Sequence, residues 1–283
     1  MKNLRIGVPS KGRLADIAAE LLQQAGLSFR RQNRSLFAPV RDMNVEVAFL
    51  RTDDIPVLCE EGAIDMGITG SDLVAESGVD VQTRLQLGVG NCRLAVCVPE
   101  DAPGDSVASL AGQRIATSFP NVTRACLASH GVEAHLVNLT GSVEVMIALG
   151  VADAIVDLVE TGGTLAANRL RVLDEIGRYE SVVIQNSTPQ HAELADRVVR
   201  RLEGVVIARS YSLLEYNIPK DKLAAAEEIT PGYNSPTINA LEDSAWCAVQ
   251  VMVRRGEMID VMDRLEALGA SAILETEIIN CRL

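Results

Sequence analysis

Short apolar runs alternate with amphipathic segments along most of this 283-residue chain. The first run, LRIGVP, leads through a polar loop into the helix-like segment LADIAAELLQQAG, which Gly26 closes. Further strands are predicted at 45–50 and 66–68, with a helix at 55–61 between them. RLAVCVPE, QRIATSF, EAHLVNL and AIVDLV continue the strand series, with helical segments among them. This alternation predicts an α/β architecture with mostly parallel sheets.

Two segments share one layout: EGAIDMGITGSDLV at 61–74 and LGVADAIVDLVETGGTLA at 149–166. In each, a glycine closes a helix, an aspartate follows three residues later, and a short apolar strand runs into a Thr-Gly turn. Gly62 and Asp65 thereby match Gly150 and Asp153. Although the motif is short and common in α/β proteins, we predict two similar lobes whose glycine turns face each other across a cleft.

The chain from residue 211 onward has a different pattern. Its segments read strand, helix, strand, strand, helix, strand, which is the split βαβ order of a ferredoxin-like module. We therefore predict lobe I at 1–90 and 180–210, lobe II at 91–179, and a C-terminal module at 211–283. Such modules pair between subunits and bind small effectors, and a purely structural dimerisation role stays open.

Composition narrows the function classes. With 48% hydrophobic and 23% charged residues the chain is a folded protein with a sizeable core. A net charge of −12 argues against binding to nucleic acid or to an anionic membrane. Six cysteines without a CxxC pair and three histidines without a metal-binding pattern suggest reduced thiols rather than a metal centre. Since no signal peptide or membrane-spanning run is evident, we expect a cytoplasmic protein.

The segment DAIVDLVETGGTL, residues 153–165, carries the clearest candidate chemistry. A buried strand running into a glycine-rich turn places that turn at the carboxyl end of the sheet, where open α/β sheets bind ligands. Backbone N–H groups and threonine hydroxyls of such a turn can bind an anion. Asp157, at the same edge, could hold ribose hydroxyls or a metal carried by the ligand. An ordinary strand–loop–helix turn with threonine capping is the alternative.

The spacing E-x5-G-x-A-x2-I-x-D-L-x2-T-G-x-T-L, which runs from Glu144 to Leu165, resembles the signature of the ATP phosphoribosyltransferase family. GVPSKGRL, LRTDDIP, DMGITGSDL and LGASAILETEI are similar to further segments of that family's long form, so the resemblance covers nearly the whole chain. It implies two lobes like those of periplasmic binding proteins, a catalytic cleft between them, and a ferredoxin-like (ACT-like) C-terminal regulatory domain.

The resemblance also implies a reaction. Adenine N1 of ATP attacks C1 of phosphoribosyl pyrophosphate and displaces pyrophosphate in the presence of Mg²⁺, the first step of histidine biosynthesis. The implied partners are ATP, phosphoribosyl pyrophosphate, L-histidine as feedback inhibitor, AMP, and copies of the chain in a homo-oligomer of dimer to hexamer size. No general base is demanded, because adenine N1 carries a lone pair and loses no proton on attack.

Site residues follow from the family by position in this sequence. The residues implied for phosphoribosyl pyrophosphate are Asp153, Asp157, Thr161, Gly162, Gly163 and Thr164. Those implied for ATP or pyrophosphate are Lys11, Gly12, Arg13, Arg51, Gly70, Asp72 and Glu144. Those implied for allosteric histidine are Asn217, Thr237, Met252 and Ala272. Asp153 or Asp157 could ligate Mg²⁺, unless the metal arrives on pyrophosphate without a protein ligand.

Several of these residues have structural alternatives. Asp72 could cap a helix together with Ser71, and Asp153 could simply begin its strand at the surface. Arg51 could pair with neighbouring aspartates, and Glu144 could support a capping box. Two rival functions also stay open. One is a two-lobed solute-binding protein. The other is a different phosphoribosyltransferase class, whose members usually have two adjacent acidic residues at this point, whereas here Asp157 is followed by Leu158.

Overall fold

The computed structural model describes residues 3–32, 35–160 and 162–282. Its strands are β1 (Leu4–Pro9), β2 (Phe37–Pro39), β3 (Val45–Leu50), β4 (Met66–Gly70), β5 (Val81–Gln86), β6 (Cys92–Pro99), β7 (Arg114–Thr117), β8 (His135–Asn138), β9 (Ala154–Val159), β10 (Leu170–Tyr179), β11 (Ser181–Asn186), β12 (Tyr211–Pro219), β13 (Thr237–Ala240), β14 (Trp246–Arg254) and β15 (Ser271–Glu277). Its α-helices are α1 (Arg13–Gln24), α2 (Ile55–Glu60), α3 (Ser71–Ser77), α4 (Pro120–Ser129), α5 (Val145–Ala148), α6 (Gly163–Ala167), α7 (Ala192–Ser210), α8 (Leu223–Ile229) and α9 (Met258–Leu268).

The first sheet has the strand order β2-β3-β1-β4-β11-β5. Its centre is parallel, because β1 pairs in parallel with both β3 and β4. Strand β1 is covered on both faces: Leu4, Ile6 and Val8 are buried on one face, and Gly7 and Pro9 are buried on the other. We call this sheet and its helices lobe I.

The second sheet, which with its helices we call lobe II, has the order β10-β6-β9-β7-β8. Strand β7 lies parallel to β8 and β9, whereas β6 and β10 are antiparallel to their neighbours. The prediction of mostly parallel sheets therefore describes only three strands of each lobe: β3, β1 and β4 in lobe I, and β9, β7 and β8 in lobe II. The antiparallel strands β5, β6, β10 and β11 carry the chain between the two sheets, across residues 87–91 and again at Glu180.

The third sheet confirms the ferredoxin-like prediction. Its order is β13-β14-β12-β15 and every pairing is antiparallel. Burial alternates along β12 and β14, so one face packs against α8 and α9. Side chains of the opposite face, such as Leu213 and Met252, are only partly covered.

The chain forms two compact units, one of Met1–Glu20 with Ser28–Asp196 and one of Leu21–Leu27 with Arg197–Leu283. Both lobes belong to the first unit and the ferredoxin-like sheet to the second. Most of α7 falls in the second unit, although the sequence-based borders assign 180–210 to lobe I; those borders stay a prediction. Within the described ranges, no helix has both the length and the apolar character that a bilayer crossing requires.

Candidate active site

A cleft of about 650 Å³ lies between the two lobes of the first unit. Lobe I contributes residues from α1, from the end of β4 and from the start of α3, and lobe II contributes residues around β9 and the turn that follows it. The candidate substrate-binding residues of the sequence analysis that line this cleft are Arg13, Gly70, Asp72, Glu144, Asp157, Gly162, Gly163 and Thr164.

The turn after β9 provides an anion-binding geometry. Gly162 has a left-handed backbone with φ of 80°, which favours glycine, and α6 starts at the next residue. The N–H groups in the first turn of a helix have no partner within the helix. Those of Gly163 and Thr164 therefore lie at the cleft as donors for an anion. Thr161, predicted as part of the same nest, lies outside the described residues.

Asp157 lines the cleft near the carboxyl end of β9 and is partly buried. Burial raises the pKa of its carboxyl group, and the negative charge of nearby Glu144 adds to the effect. The N–H of Leu158, which donates to Asp157 Oδ1 at 2.8 Å, opposes it. A carboxylate in such surroundings is stabilised when a cation or a hydroxyl donor reaches it.

Asp72 is the lobe I counterpart at the cleft and is 8% exposed. Burial raises the pKa of its carboxyl group, with a further contribution from the charge of Asp53. The N–H groups of Asp72 and Leu73 in the first turn of α3 offset part of that rise. The alternative that Asp72 is the N-cap residue is wrong, because Gly70 occupies that position and no side chain caps the helix. A Cβ added at Gly70 would overlap Asp72 Oδ1, so glycine keeps room for this carboxylate.

Asp153 does not reach the cleft, and we correct the expectation that it contacts substrate or metal. It precedes β9 and therefore lies at the opposite end of that strand from the glycine turn. Its Oδ1 accepts a hydrogen bond from Nη2 of Arg114 at 2.7 Å. Its Oδ2 accepts one from the backbone N–H of Arg114 at 2.9 Å and one from Nε of the same residue at 3.0 Å. These bonds lower the pKa of the Asp153 carboxyl group and give it a structural role.

The residues predicted around the first glycine loop, together with Arg51, divide into two groups. Arg13 lines the cleft, and its Nη1 lies 3.5 Å from Oε2 of Glu160 in an exposed pair. Lys11, Gly12 and Arg51 are exposed and lie outside the cleft lining, next to Arg13 and Thr52, which belong to it. The proposed roles of these three in substrate binding stay predictions.

Sequence reasoning missed the residues that the chain crossings bring to the cleft: Gly90, Cys92, Glu180 and Ser181. Burial raises the pKa of the Cys92 thiol to about 11, with contributions from Asp72 and Glu160, so the thiol stays protonated near neutral pH. The predicted lobe borders near 90 and 180 could have pointed to these residues, because the segments that cross between the lobes of a two-lobed fold adjoin its cleft.

The cleft lining is acidic. Among the described residues it holds five carboxylates, from Asp72, Glu144, Asp157, Glu160 and Glu180, against a single guanidinium, that of Arg13. Across the same ranges, no group of three or more His, Cys, Asp or Glu side chains is arranged to hold a metal ion.

The four residues predicted to bind the inhibitor histidine lie on strands of the C-terminal sheet. Strand register places Thr237 opposite Gln250, and Met252 two residues further along β14. Asn217 pairs with Ala248 and with Ser271, so it adjoins the start of β15, where Ala272 has a φ of 49°. Asn217 and Met252 are therefore separated by roughly 13 Å along the strands.

Comparison with known proteins bears directly on this arrangement. A family model described as ATP phosphoribosyltransferase matches residues 51–204, and one described as HisG, C-terminal domain, matches residues 208–280. An ATP phosphoribosyltransferase of Rhodopirellula baltica is 66% identical over 280 residues, covering 99% of this chain and 94% of that protein.

Solved structures agree with the fold. The ATP phosphoribosyl transferase (HisG:HisZ) complex from Thermotoga maritima matches at 30% identity with a TM-score of 0.65, covering 72% of this chain and 98% of that one. A putative L-cystine ABC transporter from Listeria monocytogenes matches at 14% identity with a TM-score of 0.51, covering 72% of this chain and 90% of that one. The second likeness shows the two-lobed fold alone.

The two-lobed fold, its cleft and these matches define an enzyme, a glycosyltransferase that transfers a pentosyl group. The chain belongs to the ATP phosphoribosyltransferase family, in the long form that includes the C-terminal domain. Its reaction is the first step of histidine biosynthesis. The rival solute-binding function and the other phosphoribosyltransferase class are thereby excluded.

Proposed function

We propose that the cleft carries out Mg²⁺-dependent transfer of the phosphoribosyl group to N1 of ATP, with release of pyrophosphate, and that L-histidine inhibits it through the C-terminal domain. One observation carries the proposal. The cleft gathers an anion-binding turn and a carboxylate of lobe II, Gly162–Thr164 with Asp157, opposite Arg13 and Asp72 of lobe I. Two substrates held from opposite sides would meet there.

The turn at 162–164 binds the 5-phosphate of phosphoribosyl pyrophosphate in this proposal. Backbone N–H groups at Gly163 and Thr164 donate to the phosphate oxygens, and the threonine hydroxyl adds a donor. Asp157, just before the turn, accepts from the ribose hydroxyls. A hydroxyl donor favours the charged form of this carboxylate and so compensates the burial that raises its pKa.

Arg13 stabilises the leaving pyrophosphate, on which negative charge accumulates as C1 becomes positively charged. The single guanidinium of Arg13 cannot neutralise pyrophosphate in a cleft that is also lined by five carboxylates. The family is metal-dependent in general, and we propose Mg²⁺ that enters bound to pyrophosphate rather than to a preformed protein site. Asp157 is one of the lobe II carboxylates of the cleft that such an ion would meet.

ATP occupies the lobe I side, where Gly70 and Asp72 would contact its ribose or adenine, and Glu144 would contact it from lobe II. Attack by N1 needs no proton removal, so the protein's task is to orient the adenine ring toward C1 and exclude water. Lys11, Gly12 and Arg51 would approach the phosphates from the exposed loops beside Arg13 and Thr52. We also propose that the protein is cytoplasmic, that it forms a homo-oligomer and that it binds AMP as a further ligand.

Histidine would bind on the sheet face opposite α8 and α9, near Thr237 and Met252 or near Asn217 and Ala272. The roughly 13 Å between Asn217 and Met252 exceeds the reach of one amino acid. A partner subunit would therefore have to bring residues from the two ends together. Inhibition from there is allosteric, because the two sites are distinct and their coupling is reciprocal.

The test is to follow pyrophosphate release with ATP, phosphoribosyl pyrophosphate and Mg²⁺, omitting each in turn, with and without L-histidine. Release that needs all three and that histidine suppresses is the expected result. Release without Mg²⁺ would remove the metal from the proposal. Release that histidine leaves unchanged would reduce the C-terminal domain to an assembly role.

A further inference from the structure

Helix α4 of lobe II begins without a cap from its own sequence. Phe119 occupies the N-cap position and makes no side-chain capping bond, and Pro120 follows at the first helical position. Phenylalanine has no hydrogen-bond acceptor in its side chain, so the next two N–H groups, those of Asn121 and Val122, need acceptors from elsewhere.

Glu76 of lobe I supplies those acceptors. Its Oε1 accepts the N–H of Asn121 at 2.9 Å, and its Oε2 accepts the same N–H at 3.1 Å and that of Val122 at 3.0 Å. The side-chain Nδ2 of Asn121 donates in return to the main-chain oxygen of Glu76 at 2.9 Å. A carboxylate at a helix N-terminus also interacts favourably with the helix dipole.

The helix that carries Glu76 also carries a residue of the cleft. Asp72 stands in the first turn of α3 and lines the cleft, whereas Glu76 stands one turn later. Between them, Leu73 packs against the hydrophobic core of lobe II. Helix α3 is therefore a lobe I element held against lobe II by an apolar side chain and by the Glu76 cap.

We propose that Glu76 is a positioning residue for phosphoribosyl transfer: by capping α4 across the lobes, it sets the position of Asp72 relative to the turn at 162–164. This inference rests on the proposed function of the cleft. Among the described residues of this unit, the chain crosses between the lobes only at 87–91 and at 180, so contacts such as this one fix the angle between the lobes. A displacement of about 1 Å between reacting groups can lower a rate by about 100-fold.

The decisive experiment compares Glu76→Ala with Glu60→Ala. Glu60 is the matched control, because its Oε1 accepts the N–H of Asp80 at 2.7 Å within lobe I. Hydrogen exchange of the segment around Asn121 and Val122 reports the cap, and steady-state kinetics of pyrophosphate release report its consequence. Glu76→Gln, which keeps an oxygen acceptor without the charge, serves as the conservative variant.

For Glu76→Ala we expect faster exchange at Asn121 and Val122, because the cap is lost. We also expect a kcat about tenfold lower, because Asp72 then shifts relative to the turn at 162–164. Glu76→Gln should recover part of kcat, and Glu60→Ala should retain the wild-type value. Unchanged exchange would show that the cap is absent in solution, and faster exchange with unchanged kcat would leave Glu76 as a mere helix cap; either overturns the inference. A wild-type protein that releases no pyrophosphate would instead contradict the proposed function.

Discussion

The two Gly–Asp–strand units, one in each lobe, are alike at one end and different at the other. At the amino end, Asp65 accepts the backbone N–H of Arg5 at 2.8 Å, and Asp153 accepts that of Arg114 at 2.9 Å. Gly62 and Gly150 precede them with φ of 69° and 68°. Each aspartate thus ties its strand to the start of the neighbouring parallel strand.

The carboxyl ends of the same units diverge. In lobe I, β4 passes directly into α3 and presents the buried carboxylate of Asp72. In lobe II, the chain continues past Val159 before Gly162 turns it into α6, which presents N–H donors. The comparison teaches that the repeated aspartate belongs to the scaffold and that ligand chemistry resides where the repeat breaks down. The following changes test that separation.

The largest effect is expected from Gly162→Ala, with Gly150→Ala as its matched control. Both glycines have positive φ, and an added Cβ would meet no atom within 4 Å at either site. Each substitution should cost about 1 kcal/mol of stability, because alanine disfavours the left-handed region. Only Gly162→Ala should also lower kcat/KM for phosphoribosyl pyrophosphate, by about 100-fold through displaced donors.

Chemical denaturation and steady-state kinetics on both variants measure the two quantities. Equal losses of activity at the two glycines would mean that the turn has no special role, and the functional division between the ends of the unit would fail.

Asp157→Asn should lower kcat/KM about tenfold or more, the usual cost of losing a charged hydrogen-bond acceptor. The substrate-free variant should nevertheless be more stable than wild type near neutral pH. Because the pKa of Asp157 is raised in the folded protein, ionisation costs stability as pH rises above about 3.9, the ordinary aspartate value. Urea unfolding of both proteins at several pH values measures this. A stability difference that does not grow with pH would contradict the burial argument.

Gly70→Ala should disturb the lobe I end of the cleft more mildly. Its Cβ would overlap Asp72 Oδ1, which must rotate away. We expect kcat/KM for ATP to fall about tenfold, because a contact with a charged group is weakened. Asp72→Asn is the companion variant, which keeps the side-chain shape. If Gly70→Ala binds ATP normally while Asp72→Asn does not, the position of the carboxylate matters less than its charge.

The smallest effect on catalysis is expected from Asp153→Ala and Asp65→Ala. Each should lower Tm by about 2–4 °C, the shift expected for one lost stabilising contact in a chain of this size, and neither should change KM for phosphoribosyl pyrophosphate. Since Arg114 lowers the pKa of Asp153, the stability contributed by that carboxylate is present above the ordinary aspartate pKa and is lost as pH falls through the lowered value. Thermal unfolding at several pH values measures the decrease in Tm and, for Asp153, its dependence on pH. A raised KM in Asp153→Ala would return this residue to the substrate site.

The pKa is lowered for Asp153 and raised for Asp157, at the two ends of β9, and the sequence alone could not distinguish the roles of these two aspartates. Asp153 and Asp157 are four residues apart in the chain and flank the same apolar strand, so either could have been the ligand-binding carboxylate. Only the neighbouring strand β7, which brings Arg114 to Asp153, distinguishes them. That contact spans 39 residues of sequence and leaves no local pattern.

Sequence patterns were enough to predict the α/β class, the ferredoxin-like module, the family and the glycine turn at 162–164, because each depends on local periodicity, turn chemistry or a fixed spacing of residue types. Tertiary structure alone decided that Asp153 and Arg114 form a structural pair, that Cys92 and Glu180 line the cleft, and that Glu76 caps a helix of the other lobe. These features depend on where chain crossings and neighbouring strands bring residues that are distant in sequence, and long-range pairing has no local signature for a sequence pattern to carry.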